Sequence, residues 1–429
     1  MNNQRLELVA DFYEYTMSNG YLNKKMENQI AYFDVFFRKV PDEGGYAIIA
    51  GLEQIINYIK NLSFDEEDIN YLRKQNKFSE EFLNYLENFR FTGDVWAIPE
   101  GTVVFPNEPL ITVRAPIIQA QLLETMLLLT TNHQSLIATK TSRIVKEAQG
   151  RPVMEFGARR AHGINAAVEG ARAAIIGGAI GTSCTLSAKE FNVPASGTMA
   201  HSWVQSFDSE YEAFKTYAEI YPDDCTLLID TYNTIESGLP NAIKVFNEVL
   251  KPKGYKPKAV RLDSGDLAYL SKKVRKILDE AGYTECKICA TNSLDEYLIK
   301  SLIEQDAKID SFGVGENLIT AKSEPVFGGV YKLVGIEKDT KIIPKIKVSE
   351  NVVKVTNPGF KKVYRFYDNE SQKAIADVIA LSDEIIDERE YMIFDPQNPW
   401  KKKLIKDYTI RELQEKIFEN GKLIYKSPT

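Results

Sequence analysis

Between residues 152 and 315 the chain passes seven times from a short apolar run into a small, polar or charged turn. Most of these turns lead into a segment of helical period. The apolar runs are PVMEF (152–156), GGAIG (177–181), a short segment before GTMAHS (197–202), TLLID (226–230), AVRLD (259–263), KICAT (287–291) and IDSFGVG (309–315). Strands alternating with helices at intervals of roughly 20 to 35 residues form a parallel sheet, and a long succession favours a barrel over an open sheet. The middle of the chain is therefore expected to be an irregular α/β barrel.

The stretch KAVRLDSGDLAYL (258–270) shows what such a unit carries. Val260 and Leu262 alternate with Ala259, Arg261 and Asp263, so Arg261 and Asp263 share one strand face. Ser264, Gly265 and Asp266 break the strand. Leu267, Leu270, Val274, Ile277 and Leu278 then recur at helical spacing until Gly282. From these residues alone two readings of Arg261 and Asp263 stand open, a structural ion pair or part of a site. The second gains weight because ligands of parallel α/β folds bind at the carboxyl ends of the strands.

The flanks read differently. Residues 5–26 have a helical pattern with an aromatic stripe, Phe12, Tyr13 and Tyr15 followed by Met17, of the kind that packs into a core. Residues 31–38 read as a strand closed by Arg38, residues 57–89 as helical, and residues 91–116 as short strands between turns. A long helical segment at 119–149 precedes the alternation, and short strands with lysine-rich turns return from about residue 330. The expected organisation is an N-terminal α+β domain (1–115) with a linking helix (116–150), the barrel (151–328), and a C-terminal segment (329–429) that rejoins the α+β domain. A chain of 429 residues has room for two or three domains.

Composition excludes several classes. With 53 basic against 60 acidic residues, a net charge of -7, there is no electrostatic footprint for nucleic acid, and an anionic substrate needs a local basic pocket. No apolar run reaches membrane-spanning length; LLETMLLL (122–129) is short and carries Glu124. The opening residues lack the order of a signal peptide. Four cysteines in so long a chain do not make a disulfide framework, and strand alternation sends Cys286 and Cys289 to opposite faces as buried, inert thiols. A reducing, cytoplasmic location follows as an expectation.

The strand ends collect Glu155, Arg159 and Arg160; Thr182 and Ser183; Thr198 and His201; Asp230 and Thr231; Arg261, Asp263 and Asp266; Thr291 and Asn292; and Gly313 and Gly315. This set suits a polyanion. Arginines offer bidentate contacts to carboxylate or phosphate, the FGVG turn presents backbone N–H groups at a helix start, and aspartates hold sugar hydroxyls or hydrated magnesium. Hydrolase and Walker signatures are missing. A dinucleotide fingerprint is disfavoured because Leu318 stands where the third glycine belongs. His201, flanked by small residues, reads on its own either as a satisfied core histidine or as a functional one.

Taken together, DFYEYTM (11–17), FFRKVP (36–41), MEFGARRAHG (154–163), GTMAHSW (197–203), IDTYNT (229–234), VRLDSGDL (260–267), ATNSLDE (290–296), FGVGENLIT (312–320) and GGVYKLV (328–334) resemble, in collinear order, nicotinate phosphoribosyltransferase of the type II phosphoribosyltransferase family. The resemblance implies an irregular α/β barrel joined to an α+β domain built from both chain ends. It implies that nicotinate displaces pyrophosphate from phosphoribosyl pyrophosphate, with ATP hydrolysis coupled to the transfer, in a homodimer with shared sites. By that match Arg261 pairs with the pyridine carboxylate, Phe156 and Tyr13 stack on the ring with Tyr13 from a neighbouring subunit, and Thr198 lies beside the base. Arg159, Gly313, Gly315 and, across the subunit boundary, Arg38 hold phosphates, and Asp263 holds the ribose hydroxyls. His201 is the residue phosphorylated by ATP. Mg²⁺ accompanies the phosphates, with no direct protein ligand assigned.

Nicotinamide-using relatives resemble the chain around Ser183 but carry an acidic side chain there, which would repel a carboxylate; serine favours the acid. Glu316, beside the glycine turn, would repel a phosphate unless turned away and is left out of the site. The alternatives are a nicotinamide or quinolinate phosphoribosyltransferase, or a non-catalytic sugar-phosphate-binding barrel. A type I phosphoribosyltransferase is disfavoured, because TLLIDTYNT lacks the paired acids and the glycine-rich phosphate loop of that class.

Overall fold

The computed structural model describes residues 6–348, 356–387, 389–396 and 398–427. The chain forms two units, Met1–Ser135 with Val326–Thr429, and Leu136–Pro325. The first division falls inside the helix Glu124–Glu147.

The first unit is organised by Ile30–Phe36, a strand buried along nearly its whole length because it is central in a seven-stranded sheet. Ile111–Pro116 pairs with it on one side and Val330–Lys338 on the other, both antiparallel. Strands from the two ends of the chain thus share one sheet, as an α+β domain built from both sections requires. Asp34 on the central strand is buried with the ammonium of Lys361 at 2.8 Å and the hydroxyl of Thr112 at 2.7 Å. Lys361–Asp368 pairs with Ala374–Leu381 and Tyr408–Glu412 in a separate three-stranded sheet.

Residues 57–89, read as helical, make three helices together with the preceding turn: Leu52–Asn61, Glu66–Lys74 and Glu80–Glu87. Asp65 and Ser79 cap the second and third by accepting backbone N–H bonds. The segment at 119–149 is likewise two helices, Ile117–Gln121 and Glu124–Glu147.

The N-terminal helix is shorter than its pattern suggests, Phe12–Asn23, and residue 5 lies outside the described residues. Its stripe divides. Tyr15 is buried beside Glu14, Ser18 and Leu22, which recur at helical spacing, whereas Phe12, Tyr13 and Met17 are 46%, 43% and 38% exposed. The expectation that the whole stripe packs into a core is therefore corrected for those three residues.

In the second unit five parallel strands form: β1 (Val153–Glu155), β2 (Thr226–Leu228), β3 (Ala259–Leu262), β4 (Lys287–Ala290) and β5 (Ser311–Val314), in the order β1-β5-β4-β3-β2. In place of the other two expected strands stand two single parallel bridges, Glu155 to Thr182 and Thr182 to Ala195, which extend the sheet beyond β1. Gly177–Gly181 is too glycine-rich and short to hold a longer ladder. The resulting row runs from Ala195 through Thr182 and the five strands to β2. Side chains cross between its two ends: Arg261, at the top of β3, donates to Thr198, and the ring of His201 bonds to Thr231 beyond β2. The sheet curls on itself as an irregular barrel does, its gap bridged by polar side chains.

The helix after β3, Leu267–Glu280, starts where Asp266 accepts the N–H of Tyr269, and buries Leu267, Val274 and Leu278. Gly282 follows its end at a φ of 85°, a conformation that costs glycine little. Cys286 and Cys289 are buried, and burial pushes the Cys286 thiol up to about 12. Among the described residues, no helix is long and apolar enough to cross a membrane.

Candidate active site

Arg261, at the carboxyl end of β3, lies in register between Leu228 of β2 and Cys289 of β4. Its Nε donates to Thr291 Oγ1 at 2.9 Å, and its Nη1 to Thr198 Oγ1 at 3.1 Å and the Met199 carbonyl at 3.3 Å. Its Nη2 donates to Asp263 Oδ1 at 2.9 Å. A guanidinium has five N–H groups, so one on Nη2 stays free among the described residues. The residue is mostly covered, with 16% of its side chain exposed.

Asp263 is both the ion-pair partner of Arg261 and a member of a wider polar network. Its Oδ1 accepts from Arg261 and from the Thr291 hydroxyl, and its Oδ2 lies 3.6 Å from His201 Nε2. Burial pulls its pKa upward, but the Thr291 bond, the Arg261 guanidinium and His201 together hold it below the ordinary carboxylate value. The backbone N–H of Asp263 donates to Asp230 Oδ2 at 2.9 Å, and the Ser264 hydroxyl donates to the same oxygen at 2.5 Å. Asp230 Oδ1 is buried without a hydrogen-bond partner among the described residues. The second ring nitrogen of His201, Nδ1, is 3.1 Å from Thr231 Oγ1. The imidazole is thus fixed at both nitrogens, with one edge toward Asp263.

A second group gathers at the end of β1. Glu155 is fully buried; one carboxylate oxygen accepts the Gly157 N–H and the other the Thr182 hydroxyl at 2.6 Å, while its carbonyl accepts the Ser183 N–H at 2.9 Å. Burial raises its pKa, against the two bonds that favour the carboxylate. Phe156 follows, its N–H bonded to the Val314 carbonyl of β5 at 2.8 Å. A Cβ placed on Gly313 would meet Phe156 Cδ2 at 2.5 Å and Thr291 Cγ2 at 2.7 Å, and one on Gly315 would meet the Phe156 carbonyl at 3.1 Å. Gly313 is therefore required by close approach, and a side chain at Gly315 would press on the Phe156 carbonyl. Because Thr291 touches Gly313 on one side and binds Arg261 and Asp263 on the other, the two groups are continuous.

Arg159 lies in the turn Ala158–Arg160, exposed and without a hydrogen bond or ion pair among the described residues. Ser183 is exposed, and its hydroxyl makes no hydrogen bond among the described residues. Glu316 is held by Lys322 at 2.7 Å and faces Arg160 at 3.8 Å, so its charge is already matched. The helix start expected after the glycine turn is present, Glu316–Ile319, but it is a single turn. Tyr13 and Arg38 belong to the first unit. The Tyr13 phenol is raised by burial and by Glu124. Arg38 sits 5.2 Å from the Phe36 ring and keeps a buried Nε with no hydrogen-bond partner among the described residues.

Thr291, Asp230, Thr231 and Glu155 were visible in the sequence only as polar residues at strand ends. Their bonds to Arg261, Asp263, His201 and Gly157 give them places of their own.

Parallel strands that present a guanidinium, carboxylates, an imidazole and glycine turns at one end make this an α/β-barrel enzyme. Residues 8–132 match the nicotinate phosphoribosyltransferase (NAPRTase) N-terminal domain, residues 152–366 the nicotinate phosphoribosyltransferase (NAPRTase) family and residues 360–429 the nicotinate phosphoribosyltransferase C-terminal domain. The chain is 46% identical over 424 residues to the nicotinate phosphoribosyltransferase of Bacillus subtilis (strain 168), covering 99% of this chain and 86% of that one. The crystal structure of human nicotinic acid phosphoribosyltransferase superposes with a TM-score of 0.85 at 26% identity, covering 98% of this chain and 91% of that one. A nicotinate-nucleotide pyrophosphorylase from Pyrococcus furiosus shares the fold, with a TM-score of 0.74 at 24% identity over 98% of this chain and 91% of that one. The chain belongs to the nicotinate phosphoribosyltransferase family.

Proposed function

We propose that the chain joins nicotinate to the ribosyl carbon of phosphoribosyl pyrophosphate, giving nicotinate mononucleotide and pyrophosphate, as the entry to NAD salvage from nicotinate. The observation that carries this reading is the arrangement around Arg261: one unspent N–H, the side chain locked by Thr198, Thr291 and Asp263, and His201 beside the same carboxylate. A locked guanidinium with one donor to give suits a single carboxylate oxygen of the base. The free hydroxyl of Ser183 suits an acid rather than an amide, since it brings no negative charge. Phe156, backed by Gly313, offers a face on which the pyridine ring stacks.

In the reaction the ring nitrogen attacks the anomeric carbon as the bond to the pyrophosphate oxygen breaks. Positive charge develops on the ribosyl centre, so the protein's task is to align the two reactants and stabilise the departing charge. Asp263, kept ionised by its neighbours, accepts bonds from the ribose hydroxyls. Arg159 and the turn at Gly313 and Gly315 receive phosphate oxygens. Tyr13, exposed on its helix, and Arg38 complete the site from the neighbouring subunit of a homodimer.

His201 takes the terminal phosphoryl group of ATP, releasing ADP, and the phosphohistidine is hydrolysed to inorganic phosphate during turnover. Asp263 near Nε2 and Thr231 near Nδ1 hold the ring for that role. When bound, Mg²⁺ neutralises phosphate charge. The unpartnered Asp230 oxygen and Asp263 fit its water shell, and among the described residues no cluster of three metal-ligating side chains forms a closed cage.

The test is to incubate the purified protein with nicotinate, phosphoribosyl pyrophosphate and labelled ATP. Nicotinate mononucleotide should form, with acid-labile label on His201. Absence of mononucleotide would overturn the assignment; absence of label alone would remove only the phosphohistidine.

A further inference from the structure

The geometry points to Thr291 as the positioning residue that ties the base, ribose and phosphate parts of the site together. This inference rests on the reading of the site above. Thr291 follows β4, and its backbone N–H donates to the Leu262 carbonyl at 2.9 Å, which fixes its side chain relative to β3. It is 3% exposed. Its hydroxyl makes two contacts at once, accepting from Arg261 Nε at 2.9 Å and donating to Asp263 Oδ1. Its methyl group occupies the far side, 2.7 Å from where a Cβ on Gly313 would lie.

Each contact constrains a different ligand group. The bond from Nε decides which guanidinium edge remains for the carboxylate. The bond to Asp263 spends one oxygen, leaving Oδ2 toward the ribose and His201. The methyl holds the Gly313 turn against the Phe156 ring. Threonine alone among small residues supplies both hydroxyl and methyl: valine keeps the shape without the hydroxyl, and serine keeps the hydroxyl without the methyl. Asp230 also holds Asp263, but through the backbone, so it does not link base to sugar.

The experiment compares wild type, Thr291→Val and Thr291→Ser in steady-state kinetics, varying nicotinate and phosphoribosyl pyrophosphate separately, with the melting temperature of each. For Thr291→Val, kcat/KM for both substrates should fall by about 10- to 100-fold, chiefly through KM, because Arg261 and Asp263 each lose an oriented partner. Thr291→Ser, which keeps the hydroxyl and gives up only the methyl against the Gly313 turn, should lose clearly less than Thr291→Val, no more than about tenfold. Equal impairment of the two variants would reduce Thr291 to packing and overturn the inference. Unchanged KM values in Thr291→Val, or a loss confined to kcat, would do so too. If Thr291→Val does not fold, Thr291→Ala compared with Thr291→Ser, both lacking the methyl, isolates the hydroxyl and carries the same test. Failure of the wild type to make nicotinate mononucleotide would instead count against the assigned reaction.

Discussion

Replacing Gly313 with alanine isolates the contact on which the proposed base-binding wall depends. The new methyl carbon would sit 2.5 Å and 2.7 Å from two atoms of the Phe156 ring and 2.7 Å from Thr291 Cγ2. Unstrained carbon contacts lie at about 3.5–4.0 Å, so the ring has to retreat by roughly 1 Å. The methyl is opposed on both sides, and a small shift of β5 relieves one clash by worsening the other. The φ of Gly313 is not in the left-handed region, so the effect is steric and not a matter of backbone preference. Overpacking of this kind costs about 1–3 kcal/mol of stability, which a chain of this size survives. A 1 Å displacement of a positioning group costs on the order of 100-fold in rate. The prediction is thus a folded protein with kcat/KM for nicotinate lowered about 100-fold, read by initial rates of mononucleotide formation beside a thermal melt. A variant with normal kinetics and an unshifted melt would refute the claim that Phe156, packed on Gly313, forms the wall of the base site.

Three further outcomes follow from particular groups. His201→Asn should abolish stimulation by ATP and labelling from ATP while leaving a slow ATP-independent transfer; retained label would place the phosphoryl group elsewhere. Lys361→Met leaves the buried Asp34 carboxylate without its cation and should destabilise the protein by about 3–5 kcal/mol in chemical denaturation, and a loss under 1 kcal/mol would contradict the pairing. Glu14 is fully buried, its pKa pushed by burial up to about 7 against the bonds from Thr125 and Asp11. A raised carboxyl binds its proton more tightly in the folded state, so its contribution is fully present below about pH 4.5 and is lost as pH rises through about 7. That loss amounts to at most about 3 kcal/mol, reduced by solvent screening, and Glu14→Gln should flatten stability between pH 5 and about 8.

How much of this was legible in the sequence depended on the kind of signal. Arg261 and Asp263 could be placed on one face because a strand has period two, and the parallel sheet because apolar runs alternated with helices. Thr291 was legible only as one of the polar residues at strand ends, because threonine there is an ordinary β-former; its contacts are with β3 and β5, which are distant in sequence. Gly177–Gly181 looked like a strand by position, yet the only bridges there among the described residues are made by Thr182 just after it, to Glu155 and to Ala195, since glycine holds a ladder poorly. The aromatic stripe misled because burial is set by helix face: Tyr15 shares a face with Leu22, whereas Tyr13 and Met17 do not, and Phe12, on the face of Tyr15 but at the first position of the helix, stays half exposed against Phe78. Glu316 looked like a threat to a phosphate, and only the fold shows Lys322 and Arg160 beside it.

The central claim is that this barrel mouth takes a pyridine acid and couples its transfer to ATP. It is tested most directly by kcat/KM for nicotinate, nicotinamide and quinolinate, each with phosphoribosyl pyrophosphate and with or without ATP. The account predicts that nicotinate is used and that ATP raises its rate. Preference for nicotinamide, or turnover of quinolinate with release of carbon dioxide and no response to ATP, would contradict it.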